Sequence, residues 1–355
     1  MPQFYPLQLT EIQRDTPDSL LLTLEPSEEH RDRFRHEPGQ HLTLRAWLDG
    51  EEVRRSYSLC NAPDAPRLQL AIKRVAGGRF SQWAHDSLGP GAMLEALPPS
   101  GRFGLPSAPE AARHYAGFAA GSGITPVLSI LQATLLREPL SRFTLVYCNR
   151  NLASLQFRET LATLKDRYPA RLSLIYLFSA EEQEIELFNG RLDRERCLAL
   201  LRGCLPAASI DHAYVCGPAG MMAAVSQALS DSGLPPERVR SEHYAAAPAA
   251  GPARAERALA DSPERVRVTV RMDGMQRQVE LGAPVDNLLD ALLQAGVTPR
   301  YSCKAGVCAT CRCQVLAGEV DMEAPHALAP EEVAAGYVLS CRSRPLTSTL
   351  ALSFD

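Results

Sequence analysis

No stretch of the 355 residues carries the roughly 18–20 consecutive apolar residues that a membrane-spanning helix needs. Basic residues are not in excess either: 37 Lys+Arg stand against 41 Asp+Glu, a formal net charge of −4. That balance speaks against nucleic acid or an anionic membrane surface as a partner. Met1-Pro2-Gln3-Phe4-Tyr5 has neither a basic n-region nor an apolar h-region. A cytoplasmic protein is therefore expected. No P-loop and no Ser/His/Asp arrangement stands out. A single Glu-x-x-His match, Glu323 with His326, is interrupted by Pro325 and has no second copy. A di-iron bundle needs two such motifs on helices, so no oxygen-activating centre is expected in this chain.

What is present is cysteine, ten residues of it. Cys303, Cys308 and Cys311 form C-x4-C-x2-C, and Cys341 follows at a distance. This is the plant-type [2Fe–2S] spacing. Two irons and two sulfides need four thiolates on one side of a loop. Ala305, Gly306, Ala309 and Thr310 are small enough to let the backbone curl and aim its N–H groups at sulfur. A zinc site is the main alternative. It usually pairs two C-x2-C knuckles, and Cys341 has no such neighbour. Cys313 reads as a buried strand thiol. The remaining cysteines are scattered, as befits a reducing compartment.

The length allows two or three domains. From 1 to 105, short alternating stretches recur (Leu20–Leu24, His41–Trp47, Val53–Leu59, Leu68–Val75), punctuated by Pro38-Gly39, Asp49-Gly50 and Gly77-Gly78. Such spacing predicts an antiparallel β-barrel. Within it, Arg55-Ser56-Tyr57-Ser58 lies on a strand, and Gly77-Gly78-Arg79-Phe80-Ser81 opens a helix over Ser81–Leu88. Tyr57 can stack on a flavin ring, Ser58 can hydrogen-bond its edge, and Arg55 can pair with a phosphate. A Gly-rich turn into a helix start can seat a pyrophosphate; a plain loop is the alternative.

From 106 to 244 the period changes. Strand His114–Ala120 enters Gly121-Ser122-Gly123-Ile124-Thr125-Pro126, with Thr125 as expected N-cap, Pro126 as first helical residue and a helix over Val127–Leu136. Strand Phe143–Tyr147, helix Ser154–Arg167, strand Arg171–Leu177, strand His212–Cys216 and helix Ala219–Leu229 follow. This alternation predicts a doubly wound α/β parallel sheet with ligands at the strand carboxyl ends. Asn149, Arg150, Cys216, Gly217 and Pro218 fall there. Arg150 after the second strand can meet a 2′-phosphate, which favours NADPH over NADH; a solvated Arg is the alternative. Cys216 is either a nicotinamide neighbour or a core thiol.

Residues 245–262 are an Ala/Pro-rich linker, read as a flexible tether. From 263 to 355 a β-grasp α+β ferredoxin domain is expected, with Asp273-Gly274 as a hairpin turn and Asn287–Gln294 helical. Glu319, Asp321, Glu323, Glu331 and Glu332 could form an acidic docking face or a solvated surface.

The order Arg-x-Tyr-Ser, Gly-Gly-Arg-Phe-Ser, Gly-Ser-Gly-Ile-Thr-Pro, Tyr-x-Asn-Arg, Cys-Gly-Pro, Glu-His-Tyr and C-x4-C-x2-C…C covers nearly the whole chain. It resembles the ferredoxin-NADP⁺ reductase superfamily carrying a C-terminal plant-type ferredoxin. Cys303–Cys313 and Gly336–Cys341 look most like the reductase subunits of phenylacetyl-CoA epoxidases. The resemblance implies FAD at Arg55, Tyr57, Ser58 and Ser81, with Ser56, Lys73, Val75, Gly78 and Phe80 around it. It implies NADPH at Gly121, Ser122, Gly123, Ile124, Thr125, Pro126, Asn149, Arg150, Cys216, Gly217 and Pro218, with Met221 beside them. Glu242 is implied near the flavin, and Ser58, Cys216 and Glu242 as the catalytic set. Cys148 stands where the family pattern has Gly. The implied activity is an NADPH-dependent reductase sending electrons through FAD and a [2Fe–2S] cluster to the di-iron subunits of a separate oxygenase. A reductase for a ring-hydroxylating dioxygenase or steroid hydroxylase, and a redox-sensing module without turnover, are the alternatives.

Overall fold

The computed structural model describes residues 3–63, 65–244, 265–282, 285–323 and 327–355. The expected tether at 245–262 and the His326 half of the Glu323/His326 match lie outside them. The chain divides into two compact units, one spanning Phe4–Glu242 and one built from His243–Asp355.

The first unit opens with six strands: β1 (Tyr5–Thr16), β2 (Ser19–Pro26), β3 (His41–Leu48), β4 (Glu51–Ser58), β5 (Leu68–Lys73) and β6 (Met93–Ser100). They form one antiparallel sheet in the order β4-β3-β6-β1-β2-β5. A bridge between Leu59 and Leu70 joins the two edges, so the sheet closes as a barrel. Its inside is filled by Leu7, Leu9, Leu22, Leu24, Leu42 and Leu44, all fully buried. Asp49 and Gly50 both take positive φ, 54° and 78°, the geometry a two-residue hairpin needs to match strand twist. β1 and β6 were not foreseen. β6 ends on Pro98-Pro99, which a strand tolerates only near its end.

Five parallel strands follow: β7 (His114–Ala120), β8 (Arg142–Asn149), β9 (Leu172–Phe178), β10 (His212–Cys216) and β11 (Val239–Glu242), in the order β11-β10-β7-β8-β9. Helix α1 (Arg79–Ser87) belongs to the barrel; α2 (Ile124–Arg137), α3 (Arg158–Arg167), α4 (Arg194–Gly203) and α5 (Ala219–Asp231) belong to this second sheet. The chain leaves β7 toward β8 on one side and returns to β10 on the other. The carboxyl end of β7 is therefore a topological switch point, where such sheets leave a crevice.

Three expectations need correction here. Helix α2 starts at Ile124 with Gly123 at the N-cap, so Thr125 is not the cap; its hydroxyl donates instead to the Ser122 carbonyl at 3.0 Å. The helix expected from Ser154 is a 3-10 turn, Leu152–Ser154, capped by Asn151, and α3 begins only after Phe157 at φ 58°. Helix α4 and strand β11 were not anticipated at all.

The second unit holds β12 (Arg265–Met272), β13 (Met275–Gly282), α6 (Leu288–Gln294), β14 (Arg312–Ala317), β15 (Val320–Met322), α7 (Pro330–Ala334), β16 (Tyr337–Leu339), β17 (Ser343–Pro345) and β18 (Thr349–Ser353). Its five-stranded sheet runs β13-β12-β18-β14-β16, with β12 and β18 parallel and the other pairs antiparallel: a β-grasp. Asp273 and Gly274, at φ 52° and 72°, form the expected hairpin turn. Asn287 caps α6 by accepting the Asp290 N–H at 2.8 Å. Val266, Val268, Val270, Leu288, Leu292 and Leu352 pack the core.

Candidate functional site

In the barrel, β4 delivers Ser58, buried, and Tyr57, half-buried with its ring centroid 5.6 Å from Phe80. Phe80 itself is only 1% exposed. Its ring backs Tyr57, so what it can offer a ligand is its backbone N–H. Arg55 reaches into solvent, donating only to the neighbouring Arg54 carbonyl at 2.7 Å. Ser56 lies part-buried on the same strand, its hydroxyl 3.4 Å from that of Thr43.

The turn Val75–Gly78 is stitched by one hydroxyl. Ser81 Oγ accepts the Val75 N–H at 3.1 Å and donates to the Gly78 carbonyl at 3.1 Å. A Cβ on Gly78 would lie 2.6 Å from that oxygen, so the turn admits only glycine. Gly77 supplies φ 72°. The first N–H groups of α1 have no intrahelical acceptor, and the bare Gly77-Gly78 backbone lets an anion approach them. The cradle fits a dinucleotide pyrophosphate. Val75 is exposed beside it.

At the switch point, Gly121–Gly123 form a 3-10 turn leading into the fourteen-residue α2. Gly123 is obligatory: its Cβ would sit 2.2 Å from the Cys216 carbonyl oxygen. Gly217 likewise packs on Ala120 and Met221, which lies in the first turn of α5 after Pro218. These contacts press the ends of β7 and β10 together. Tyr147 Oη donates to the Gly121 carbonyl at 3.1 Å and anchors the loop from the β8 side. Asn149 ends β8 beside the Tyr147 hydroxyl, and among the described residues its buried Nδ2 completes no hydrogen bond. Arg150 is 71% exposed. Lys73 Nζ lies 4.0 Å from the Cβ position of Gly121, so this side chain borders the nucleotide crevice rather than only the flavin turn. Cys148 spends its thiol in the core with Cys197, Leu200 and Val215, away from the crevice mouth. The Asn149 amide, which completes no hydrogen bond among the described residues, and the glycine-only approach fit a pyridine dinucleotide.

One of the places where the barrel and the parallel sheet meet brings three of the expected residues together. Ser58 Oγ donates to Glu242 Oε2 at 3.1 Å. Glu242 stands opposite Cys216 in the β10–β11 ladder. Cys216 is fully buried. Glu242 keeps some exposed surface, yet its carboxyl lies deep enough that burial pushes its pKa up to about 7, against the opposing Ser58 hydrogen bond. Ser58, Cys216 and Glu242, far apart in sequence, are thus neighbours.

In the ferredoxin unit, Lys304, Gly306 and Ala309 all take positive φ, 53°, 78° and 51°. Two non-glycine residues in that region mark a loop held in its curl. The thiols lie two by two, Cys303 beside Cys308 and Cys311 beside Cys341, close enough for each to shift its neighbour's hold on a proton. Cys303 is drawn well below the usual thiol range by the Cys308 hydrogen bond and by the Ala305, Val307 and Cys308 backbone N–H groups. Ser340 secures the second pair: its N–H and its Oγ both donate to the Cys311 carbonyl, at 3.1 and 3.0 Å. Two thiol pairs suit two bridged irons. Cys313 is a buried strand thiol, raised by burial. Of the five acidic residues after the cluster loop, Asp321 pairs with Arg344 at 2.8 Å, Glu323 with Arg342 at 2.9 Å and Glu332 with Arg312 at 2.6 Å, while Glu319 and Glu331 are exposed.

Sequence reasoning missed Ser340, Tyr147 and two residues of the first barrel hairpin, Asp15 and Asp18. Each acts through a partner distant in the chain; Tyr147 and Ser340 stand within quoted stretches whose spacing does not reveal those contacts, and Asp15 and Asp18 stand in none.

Three families match in the same order. Residues 6–104 match an oxidoreductase FAD-binding domain, 118–227 an oxidoreductase NAD-binding domain and 270–346 a 2Fe-2S iron-sulfur cluster binding domain. The chain is 41% identical to one of the subunits of 1,2-phenylacetyl-CoA epoxidase from Escherichia coli K12, over 100% of this chain and 99% of that one. It is 35% identical to the ferredoxin reductase component of 3-ketosteroid-9-alpha-monooxygenase from Rhodococcus rhodochrous, over 98% and 96%. Among solved structures, phthalate dioxygenase reductase superposes with a TM-score of 0.60 at 24% identity, over 99% of this chain and 98% of that one. A type IV self-sufficient cytochrome P450 monooxygenase gives 0.73 at 23%, over 98% of this chain and 41% of that one. These last two likenesses bear on the fold.

Proposed function

This chain belongs to the ferredoxin-reductase family of FAD- and NAD-binding oxidoreductases with a C-terminal [2Fe–2S] domain, and from that premise we propose that it carries electrons from NADPH to the di-iron oxygenase of a phenylacetyl-CoA epoxidase. It is an NAD(P)H-dependent oxidoreductase of the kind that serves multicomponent oxygenases. When bound, the nicotinamide supplies a hydride, FAD takes electrons in twos and returns them singly, and the cluster accepts one at a time.

The rest is work for the chain's own residues. The Gly77-Gly78 turn and the α1 start hold the FAD pyrophosphate, while Tyr57 and Ser58 orient its ring system. The Gly121–Pro126 segment seats the nucleotide, with Asn149 donating its amide. Gly217, Pro218 and Met221 shape the far wall. Glu242 and Ser58 keep a proton at the Oε2–Oγ pair, where a carboxyl near neutral pKa can hold or release it. Cys303, Cys308, Cys311 and Cys341 ligate the irons. Arg150 favours a 2′-phosphate, hence NADPH over NADH. We assign 1–105, 106–244 and 263–355 to the three modules, with 245–262 as the connection. Work in the cytoplasm, without nucleic acid or membrane, fits a chain in which no described helix is long and apolar enough to cross a bilayer.

The observation that carries this reading is the Ser58–Glu242 bond beside Cys216, which joins the flavin barrel to the nucleotide crevice. The full-length 41% identity supports the choice of oxygenase. Reconstitution decides it: purified holoprotein with NADPH should support oxidation of phenylacetyl-CoA by the cognate di-iron subunits. Turnover only with a steroid or ring-hydroxylating oxygenase would favour the second reading, which the 35% steroid-enzyme relative supports.

A further inference from the structure

The tip of the barrel's first hairpin, Asp15 to Ser19, is fastened to the segment that follows β8. Both Asp15 carboxylate oxygens accept the Phe157 N–H at 3.1 Å, where Phe157 takes its left-handed turn. Gln156 Nε2 donates to Ser19 Oγ, and both residues are almost completely buried. From the end of β5, the Arg74 N–H donates to the Asp18 carbonyl at 2.7 Å. The Thr16 hydroxyl, itself buried, donates to Asp18 Oδ1 at 3.0 Å. The Asp18 side chain is therefore held in place, with its other oxygen, Oδ2, facing two cations: Lys73 Nζ at 3.6 Å and Arg150 Nη2 at 3.9 Å.

Those two distances are too long for hydrogen bonds, so Asp18 acts on both groups through charge alone. The Arg150 fork keeps its donors available for an anion, and Lys73 stands beside Gly121 at the mouth of the same crevice. Without Asp18 the pair would present two positive charges to a ligand; with it, the local sum is one. The carboxylate does not touch the segment Gly121–Pro126 and belongs to the flavin barrel, so no pattern in the nucleotide-binding half reveals it.

We propose that Asp18 sets the pyridine-nucleotide specificity of this protein: fixed by the barrel hairpin between Lys73 and Arg150, it weakens their joint attraction for a 2′-phosphate and so moderates the preference for NADPH over NADH. The inference rests on the assignment of Arg150 to the 2′-phosphate. Asp18 is a positioning residue in this scheme, acting through the two cations.

The test uses the full-length FAD- and cluster-loaded protein and two probes, 2′,5′-ADP and 5′-AMP, which differ by the 2′-phosphate alone. A carboxylate one ion-pair length behind a guanidinium should reduce its hold on a phosphate by roughly three- to tenfold at ordinary salt. Asp18→Asn, which keeps a hydrogen-bond acceptor for Thr16, should tighten 2′,5′-ADP by about that factor and leave 5′-AMP nearly unchanged. The NADPH/NADH ratio of kcat/KM should rise in parallel, carried by KM. Asp18→Glu, which restores the charge, should return all three values toward those of the unaltered protein. Equal shifts for both probes, or none, overturn the proposal. If Arg150→Ala weakens 2′,5′-ADP while Asp18→Asn does nothing, the proposal alone fails. If Arg150→Ala also leaves the affinity for 2′,5′-ADP unchanged, the NADPH assignment fails with it.

Discussion

The proposed nucleotide crevice and the proposed cluster loop are assembled differently. In the crevice, the end of β7, the Cys216 carbonyl at the end of β10, Tyr147 on β8 and Lys73 from the barrel come from distant parts of the chain. In the cluster loop, three of the thiols lie between Cys303 and Cys311, and the curl that aims them is built from three left-handed residues in the same stretch. The fourth thiol is the exception, brought in by Ser340. The difference teaches where failure should spread. A change in the loop should remove its own cofactor and stop there. A change in the crevice should disturb several segments at once.

The largest expected effect breaks the local side. Cys311→Ala removes one member of a thiol pair; iron and sulfide content should fall to near zero while FAD content and NADPH-driven flavin bleaching persist. Loss of flavin as well would show that the cluster loop is not self-contained. On the distributed side, Gly123→Ala puts a methyl 2.2 Å from the Cys216 carbonyl oxygen, which forces the β7 and β10 ends apart. A shift of about 1 Å at a reacting centre costs roughly 10²-fold, so kcat/KM for NADPH should drop by that order with the cluster untouched. Stopped-flow flavin reduction against cluster content measures both.

The smallest effect sharpens the comparison at a charge that only the assembled crevice creates. The Glu242 carboxyl, raised to about 7 by burial, binds its proton more tightly folded than unfolded. Its stabilising contribution is complete below pH 4–5 and is lost as pH rises through about 7. Glu242→Gln removes that loss. The variant should therefore gain on the unaltered protein between pH 5 and 8 by about 2 kcal/mol, a figure that allows for the partial exposure of the side chain. Thermal melts across that range check the sign. A constant offset would mean that the carboxyl titrates as an ordinary one.

Legibility followed the same division. The C-x4-C-x2-C spacing, the strand-and-glycine rhythm and the two Asp-Gly hairpins could be read directly because each depends on neighbours a few residues away. Thr125 as N-cap was a local guess that lost to a tertiary demand: Gly123 must stay bare for Cys216, so the helix begins earlier, at Ile124. The helix expected from Ser154 was cut short because Phe157 turns left-handed where Asp15 accepts its N–H, a contact from the other end of the unit. In the acidic stretch after the cluster loop, the arginine partners of Asp321, Glu323 and Glu332 could not be read from spacing, because Arg344, Arg342 and Arg312 reach them only through the fold.

Taken alone, the order of residues determined the three modules and their cofactor classes, because periodicity, turn chemistry and cysteine spacing are properties of short segments. Only the tertiary structure decided that Ser58 bonds Glu242 beside Cys216, that Glu242 titrates near neutrality, and that Asp18 of one barrel hairpin stands between Lys73 and Arg150. Those depend on distance through space and on burial, and neither is written in the separation of residues along a chain.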